Sequence, residues 1–120
     1  MEKYEIKFEV METVNLVSAC TLAIKSEHGN FVRILRCNGN AIRALETARE
    51  KLLIAISENS YKVELSLMEL VQLYAACNMA WHHECAEREK QHTECRLEQY
   101  SKTIYRLEDA REKILAALNK

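Results

Sequence analysis

The stretch that decides the fold is SLMELVQLYAACNMAWHHECAEREKQHTECRLEQYSKTIYRLEDAREKILAAL, residues 66–118. It contains neither glycine nor proline, the two residues that destabilise a helix interior most. It opens with Ser66 and Glu69 in a Ser-x-x-Glu capping box, in which each side chain satisfies a backbone N–H that a helix start leaves unpaired. The sequence therefore predicts a helix that begins near Leu67.

Two apolar stripes run through this stretch in different registers. The second half repeats at alternating steps of three and four, which keeps one side of a helix facing a partner. Its members are Leu97, Tyr100, Ile104, Leu107, Arg111, Ile114 and Leu118. The first half has a separate stripe of Leu67, Leu70, Val71, Tyr74, Cys77, Trp81 and Cys85. Because the register changes within the polar run 87–94, we expect either one bent helix or a helical hairpin, and we favour two helices joined near residues 88–93.

An unbroken helix would be roughly 75–80 Å long, more than one small domain can cover. It would need a second subunit, whereas a hairpin could bury part of its stripes within the chain. We expect a homo-oligomer, a dimer or higher, formed through the C-terminal helices in either case.

The N-terminal half predicts a smaller layer. Tyr4, Ile6, Phe8 and Val10 alternate with charged residues, which is typical of a strand with one buried face. Residues 14–25 are apolar almost throughout and fit either a helix that Gly29 would end or a long strand with a hairpin loop at 26–30. We favour the helix slightly.

Three further elements complete this layer. Residues 31–37 predict a strand that ends in a turn at Asn38 and Gly39, and Asn40 is placed to cap a second helix. The apolar face of that helix is Ile42, Leu45, Ala48, Leu52, Leu53 and Ile56. Tyr61, Val63 and Leu65 then alternate in a short strand that runs into the capping box. The predicted fold is α+β in a single domain, 1–120, with a strand-containing layer (1–65) and a long helical arm (66–118).

Composition narrows the function classes. The net charge of −1 gives no electrostatic reason for non-specific nucleic-acid binding. The five cysteines are scattered, which is typical of reduced thiols in a cytoplasmic protein. No apolar run reaches the ~18–20 residues that a membrane span needs. With two glycines in the chain we see no phosphate-binding loop, nucleophile elbow or dinucleotide fingerprint, so we expect neither an enzyme nor a bound cofactor.

One repeated tetrapeptide has metal-ligand chemistry. His82 and Cys85, and then His92 and Cys95, each occur in a His-x-Glu-Cys pattern. If the chain turns between them, the two pairs could converge on a tetrahedral zinc ion. On one straight helix they would lie about 15 Å apart and could not share an ion. We keep this zinc-stapled module as a third hypothesis, with isolated polar helix positions as its alternative.

A second constellation combines aromatic rings with arginines on the helical arm. Flat rings stack on nucleobases, and arginine binds phosphate through two hydrogen bonds. The candidate ligand-binding residues chosen on this chemistry are Trp81, Asn78, Arg88, Arg106 and Asp109. Arg106 and Asp109 share one helical face, where the cation suits a phosphate and the carboxylate suits ribose hydroxyls. The alternative is a surface ion pair beside core or interface rings.

In outline, a small strand-bearing front followed by long C-terminal helices resembles small phage proteins that counter bacterial defence, most of all the Thoeris anti-defence sponges. That resemblance implies assembly through helices and sequestration, without cleavage, of a cyclic nucleotide or ADP-ribose-type signal in the host cytoplasm. The runner-up hypothesis is a protein-directed inhibitor of the anti-CRISPR type, or an assembly factor, that acts through the helical arm.

Overall fold

The computed structural model describes residues 3–25 and 39–119. Within these ranges the chain forms β1 (Lys3–Lys7), α1 (Val10–Lys25), α2 (Gly39–Ser57), β2 (Lys62–Ser66), α3 (Leu67–Glu89) and α4 (Glu94–Leu118). The fold is mostly helical and includes a small antiparallel sheet, which agrees broadly with the α+β prediction. Among these helices, none combines the length and apolar character needed to cross a membrane.

The long arm is a helical hairpin rather than one bent helix. α3 ends at Glu89, and α4 begins at Glu94 after a short turn. The two helices run antiparallel, since the Cys77 thiol of α3 donates a hydrogen bond to the Leu107 carbonyl of α4 at 3.2 Å. The predicted junction at residues 88–93 is confirmed. The α4 stripe is buried inside one chain at Ile104, Leu107 and Ile114, so it does not require a sister chain for shelter.

The N-terminal predictions hold in part. The capping box at Ser66 and Glu69 is present, and residues 14–25 are helical, so the strand alternative for them is wrong. Val10 does not extend the first strand but begins α1 and is half exposed. The predicted strand at 31–37 and the proposed stop at Gly29 lie outside the described residues.

Three positions assigned to apolar faces are exposed instead. They are Leu53, Leu67 and Val71. α2 also begins at Gly39, so Asn40 lies inside the helix rather than at its cap. Part of the buried face of α2 and α3 is formed by alanines instead of these large residues. The buried alanines include Ala44, Ala55, Ala76 and Ala80.

A left-handed turn joins α2 to β2. Asn59 has a φ of 54°, a conformation that asparagine tolerates better than most residues. The Ser60 N–H donates to the Ala55 carbonyl at 3.0 Å and the Asn59 N–H to the Ile56 carbonyl at 3.2 Å. These are the two hydrogen bonds of a Schellman motif. The motif turns the chain sharply enough for β2 to return beside β1.

The two strands pair around a central residue pair, Ile6 opposite Val63. Both side chains point inward, while Lys3, Glu5 and Lys7 of β1 face solvent. The inward face packs on the helices, with Phe8, Leu16 and Leu65 at 2 % exposure or less. The sheet therefore covers one side of a helical core.

The described elements form two copies of one strand–helix–helix unit. Unit 1 is β1, α1 and α2, and unit 2 is β2, α3 and α4. YEIKFEVMETVNLVSACTLA (4–23) aligns without gaps on YKVELSLMELVQLYAACNMA (61–80), with eight identical positions. LETAREKLLIA (45–55) aligns on LEDAREKILAA (107–117), again with eight identities. Ile6 and Val63 occupy equivalent positions, so a pseudo-two-fold axis passes through the centre of the sheet.

Two ion pairs cross between the units in opposite directions. Lys51 of α2 binds Glu69 of α3 at 2.7 Å, and Lys113 of α4 binds Glu12 of α1. Both glutamates are buried. Each carboxylate also accepts a hydrogen bond from the backbone N–H at the cap of its own helix. Glu69 accepts from Ser66 at 2.8 Å, and Glu12 accepts from Glu9 at 2.7 Å. The same side chain thus caps one unit's helix and binds the other unit.

We expect Lys51→Ala and Lys113→Ala each to lower the free energy of unfolding by about 1–3 kcal/mol, because each leaves a buried carboxylate without its cation. Since the sites are equivalent, the two losses should be similar. Urea unfolding followed by circular dichroism measures both. Lys102→Ala, which breaks the exposed Lys102–Glu98 pair, is the control and should cost less than about 0.5 kcal/mol. A large loss for one lysine and none for the other would contradict the equivalence.

Candidate functional site

Two neighbouring cavities lie along the hairpin. The turn cavity, about 380 Å³, is lined by Glu84, Arg96, Gln99, Tyr100 and Thr103. The three-helix cavity, about 350 Å³, lies between α1, α3 and α4 and is lined by Asn15, Ser18, Ala19, Leu22, Ala80, His83, Glu84, Thr103 and Leu107. Because Glu84 and Thr103 line both, the cavities adjoin. Each falls within the roughly 300–1,000 Å³ of ordinary ligand pockets.

Asn15 brings an unused hydrogen-bond donor to the three-helix cavity. Its Nδ2 atom is buried and has no hydrogen-bond partner among the described residues. A buried donor without a partner costs folding free energy, so such an atom is notable. The equivalent residue of unit 2 is Gln72, whose Oε1 is likewise buried and unpaired within the described part of the chain.

Glu84 is the acidic group at the junction of the cavities. It lies on α3 and is half-buried. Burial raises the pKa of its carboxyl above the ordinary value, while nearby His83 opposes the shift and Glu87 adds to it. A ligand that donates hydrogen bonds to the carboxylate, such as a ribose diol, would replace the hydration that burial removes.

Arg96 and Tyr100 come from the first turns of α4, where they border the turn cavity together. They are four residues apart, which places them on one side of the helix. A guanidinium group binds phosphate oxygens, and a tyrosine ring offers a stacking face to a nucleobase. The cavities therefore combine a cation, an aromatic ring, a carboxylate and an amide donor.

The structure brings two of the ligand residues predicted from the sequence, Trp81 and Asn78, into contact with α4. The Trp81 Nε1–H donates to Glu108 at 2.9 Å, and the Arg111 guanidinium lies 5.3 Å from the centre of the Trp81 ring. Arg111 also donates to Asn78 at 3.0 Å. These contacts join α3 to α4, so Trp81 and Asn78 are engaged in holding the hairpin together.

The other three predicted residues lie apart from the cavity linings. Arg106 is half-buried and Asp109 is exposed, both on α4. Arg88 is half-buried near the end of α3. The α4 partners of Trp81 and Asn78 are Glu108 and Arg111, two residues that the sequence-based site did not include.

The turn needed for the zinc hypothesis exists, but its ligands do not form a cluster. His82 and Cys85 lie on α3, His92 lies in the turn, and Cys95 is near the start of α4. In residues 3–25 and 39–119 no group of three or more His, Cys, Asp or Glu side chains is placed to hold a metal ion.

Two equivalent cysteines are buried in the core. Burial raises the pKa of Cys20 to about 12 and that of Cys77 to about 12, while Arg49 beside Cys20 and Arg111 beside Cys77 oppose the shift. Both thiols are fully buried and protonated at neutral pH. They therefore serve as small core side chains rather than nucleophiles.

Sequence reasoning missed Glu84, Thr103 and Asn15 as cavity residues. Glu84 lies within the His-x-Glu-Cys pattern, where the histidine and the cysteine carry the metal-ligand signal. Asn15 and Ser18 interrupt an otherwise apolar helix, and that interruption was the available signal. Thr103 carries no sequence signal, since its role depends on how α4 packs against α3.

We expect Glu84→Gln to raise the free energy of unfolding at neutral pH, because it removes a carboxylate that burial disfavours. A carboxyl with a raised folded-state pKa stabilises the fold below its unfolded pKa and loses that contribution as pH rises through the folded pKa. The variant and the parent should therefore converge near and below pH 4.5, the ordinary carboxyl value. Urea unfolding across a pH series measures the difference.

Glu69→Gln is the matched control with the opposite sign. Burial opposes the shift at Glu69, but hydrogen bonds from Lys51 and Ser66 outweigh it and lower the pKa of the carboxyl. Its stabilising contribution is present above the unfolded pKa and is lost as pH falls through the folded pKa. This variant should lower the free energy of unfolding at neutral pH. The same sign for both variants would contradict the two assignments.

The candidate site is thus a pair of adjoining cavities, one near the turn of the hairpin and one between α1 and the hairpin. Among known proteins, no family model, curated protein or solved structure matches the chain. Its function is inferred from the chemistry of these cavities.

Proposed function

We propose that this chain is a non-enzymatic binding protein that sequesters a small nucleotide of the cyclic-nucleotide or ADP-ribose class. The observation that carries the proposal is the pair of adjoining cavities that share Glu84 and Thr103. Sequestration of an immune signal against bacterial antiphage defence is the biological role that the outline resemblance implies.

Each part of such a ligand has a matching group. Arg96 suits a phosphate and Tyr100 suits the face of a base. Glu84 suits the hydroxyls of a ribose, and Asn15 adds a polar side chain to the lining of the three-helix cavity. The cavities together extend from the hairpin turn to α1, which supports a ligand longer than a single sugar phosphate.

The non-enzymatic part of the proposal rests on the groups around the cavities. The two core thiols are fully buried and protonated, so they cannot attack a bound ligand. Recovery of an added nucleotide unchanged after prolonged incubation is the expected result.

We expect titration calorimetry with cyclic mononucleotides, cyclic dinucleotides, ADP-ribose and cyclic ADP-ribose to detect binding by at least one compound. Arg96→Ala and Glu84→Gln should each weaken it about tenfold or more, because a hydrogen bond to a charged group contributes about 1.5–3 kcal/mol. Arg106→Ala is the matched control outside the cavities and should bind like the parent. No binding of any compound in the panel would end the proposal. Loss of binding in Arg106→Ala, with Arg96→Ala and Glu84→Gln unaffected, would contradict the placement of the site in the two cavities.

We also expect the chain to self-associate, but through a surface other than the buried stripes of the helical arm. Six of the nine large exposed hydrophobic residues in the described ranges form two equivalent triplets, between 37 % and 53 % exposed. One triplet is Val10, Met11 and Val14, and the other is Leu67, Met68 and Val71. A second copy carries the same two triplets at the same spacing. In a two-fold dimer the triplets of one copy would therefore be covered by the triplets of the other.

We expect the purified chain to have a solution mass that is a multiple of 14.0 kDa. Met11→Glu combined with Met68→Glu should reduce it to the single-chain mass, because each glutamate would be buried without a partner at the contact. Light scattering during size-exclusion chromatography measures both. Tyr105→Glu, an exposed position outside the triplets, is the control and should keep the parental mass. A parental mass of one chain at micromolar concentration would end this part of the proposal.

A further inference from the structure

We infer that unit 1 and unit 2 associate within the chain as the two subunits of a dimer do, and that each unit can therefore pair equally well with the complementary unit of a second copy of this chain.

The first support is that equivalent residues make equivalent contacts. The crossing ion pairs use Lys51 and Lys113, which are aligned in the two units, and the aligned glutamates Glu12 and Glu69. Inside the units, α1 packs on α2 as α3 packs on α4. Between them, α1 packs on α4 as α2 packs on α3, and α1 meets α3 near the axis. This is the contact pattern of an isologous dimer, in which each contact occurs twice.

The second support is that, among residues 3–25 and 39–119, neither unit forms a sheet by itself. Each contributes one described strand to the two-stranded sheet, so every backbone hydrogen bond in that ladder crosses between units. A lone strand has no partner for its backbone groups, and even a two-stranded sheet needs a packed face to be stable. Glu12 and Glu69 would also lose their cations if the units separated. The interface therefore supplies what each unit lacks.

The third support is how little joins the units. α2 ends at Ser57 and β2 begins at Lys62, so the connection is a tight turn around Asn59. That turn is exposed and lies outside both the sheet and the helix contacts. Cutting the turn would leave the contacts between the units in place, because neither the ion pairs nor the strand pairing involves residues 58–60.

The test uses the full-length chain with a specific protease site inserted into the turn at residues 58–60. The uncut protein should keep the helical circular dichroism of the parent. After cleavage in the folded state, we expect the two fragments to elute as one complex with that signal retained. Fragments that separate or lose their helical signal on cleavage would overturn the inference, as would an uncut insertion protein that does not fold.

Exchange between copies is the second measurement. Cleaved protein labelled with ¹⁵N and unlabelled cleaved protein are mixed, unfolded in urea and refolded by dilution. Native mass spectrometry should then find labelled and unlabelled fragments combined in statistical proportion. Uncut chains treated identically are the control and should show no chain that mixes labels. Failure of the cleaved fragments to refold together would overturn the inference even if the nicked complex had survived.

Discussion

Two buried glutamates carry the constraint on which the structure depends. Glu12 and Glu69 each occupy the third position of a helix and accept the backbone N–H at its cap, while a lysine from the other unit binds the same carboxylate. A buried carboxylate is stable only when its charge and its hydrogen bonds are satisfied together. The cap fixes the start of each helix locally, and the lysine of the opposite unit supplies the charge partner that the buried carboxylate needs. Local helix initiation and tertiary assembly are coupled through these two side chains.

The pseudo-two-fold arrangement also determines where the cavities lie. Asn15 belongs to unit 1, whereas Glu84, Arg96, Tyr100 and Thr103 belong to unit 2. The three-helix cavity forms because α1 crosses the hairpin of the other unit. A site built between two units depends on the interface that holds them, which links the ligand proposal to the stability of the crossing ion pairs. Two similar units thus provide a scaffold on which a single asymmetric site can arise where their residues differ.

The residue types that line the cavities were visible in the sequence, but their grouping was not. The sequence showed arginines and aromatic rings on the helical arm, and Arg96 and Tyr100 do border a cavity. It could not show that Trp81 and Asn78 would be engaged by Glu108 and Arg111, because that pairing depends on the register between α3 and α4. The internal repeat was present in the sequence as well. The repeat is hard to see because no single shift in residue number aligns both pairs of helices. The shift that aligns α1 with α3 differs from the shift that aligns α2 with α4.

The sequence by itself determined the start of α3, the existence of five of the six described helical and strand segments, and the junction of the hairpin. Capping boxes, alternating apolar residues and a change of stripe register act over a few residues, so local chemistry is enough to specify them. Only the tertiary structure decided that 14–25 is a helix, that Leu53, Leu67 and Val71 are exposed, and that the stripes of the arm are buried within one chain. These outcomes depend on which surface meets which, and that is set by the pairing of β1 with β2 and by the two lysines that reach across it.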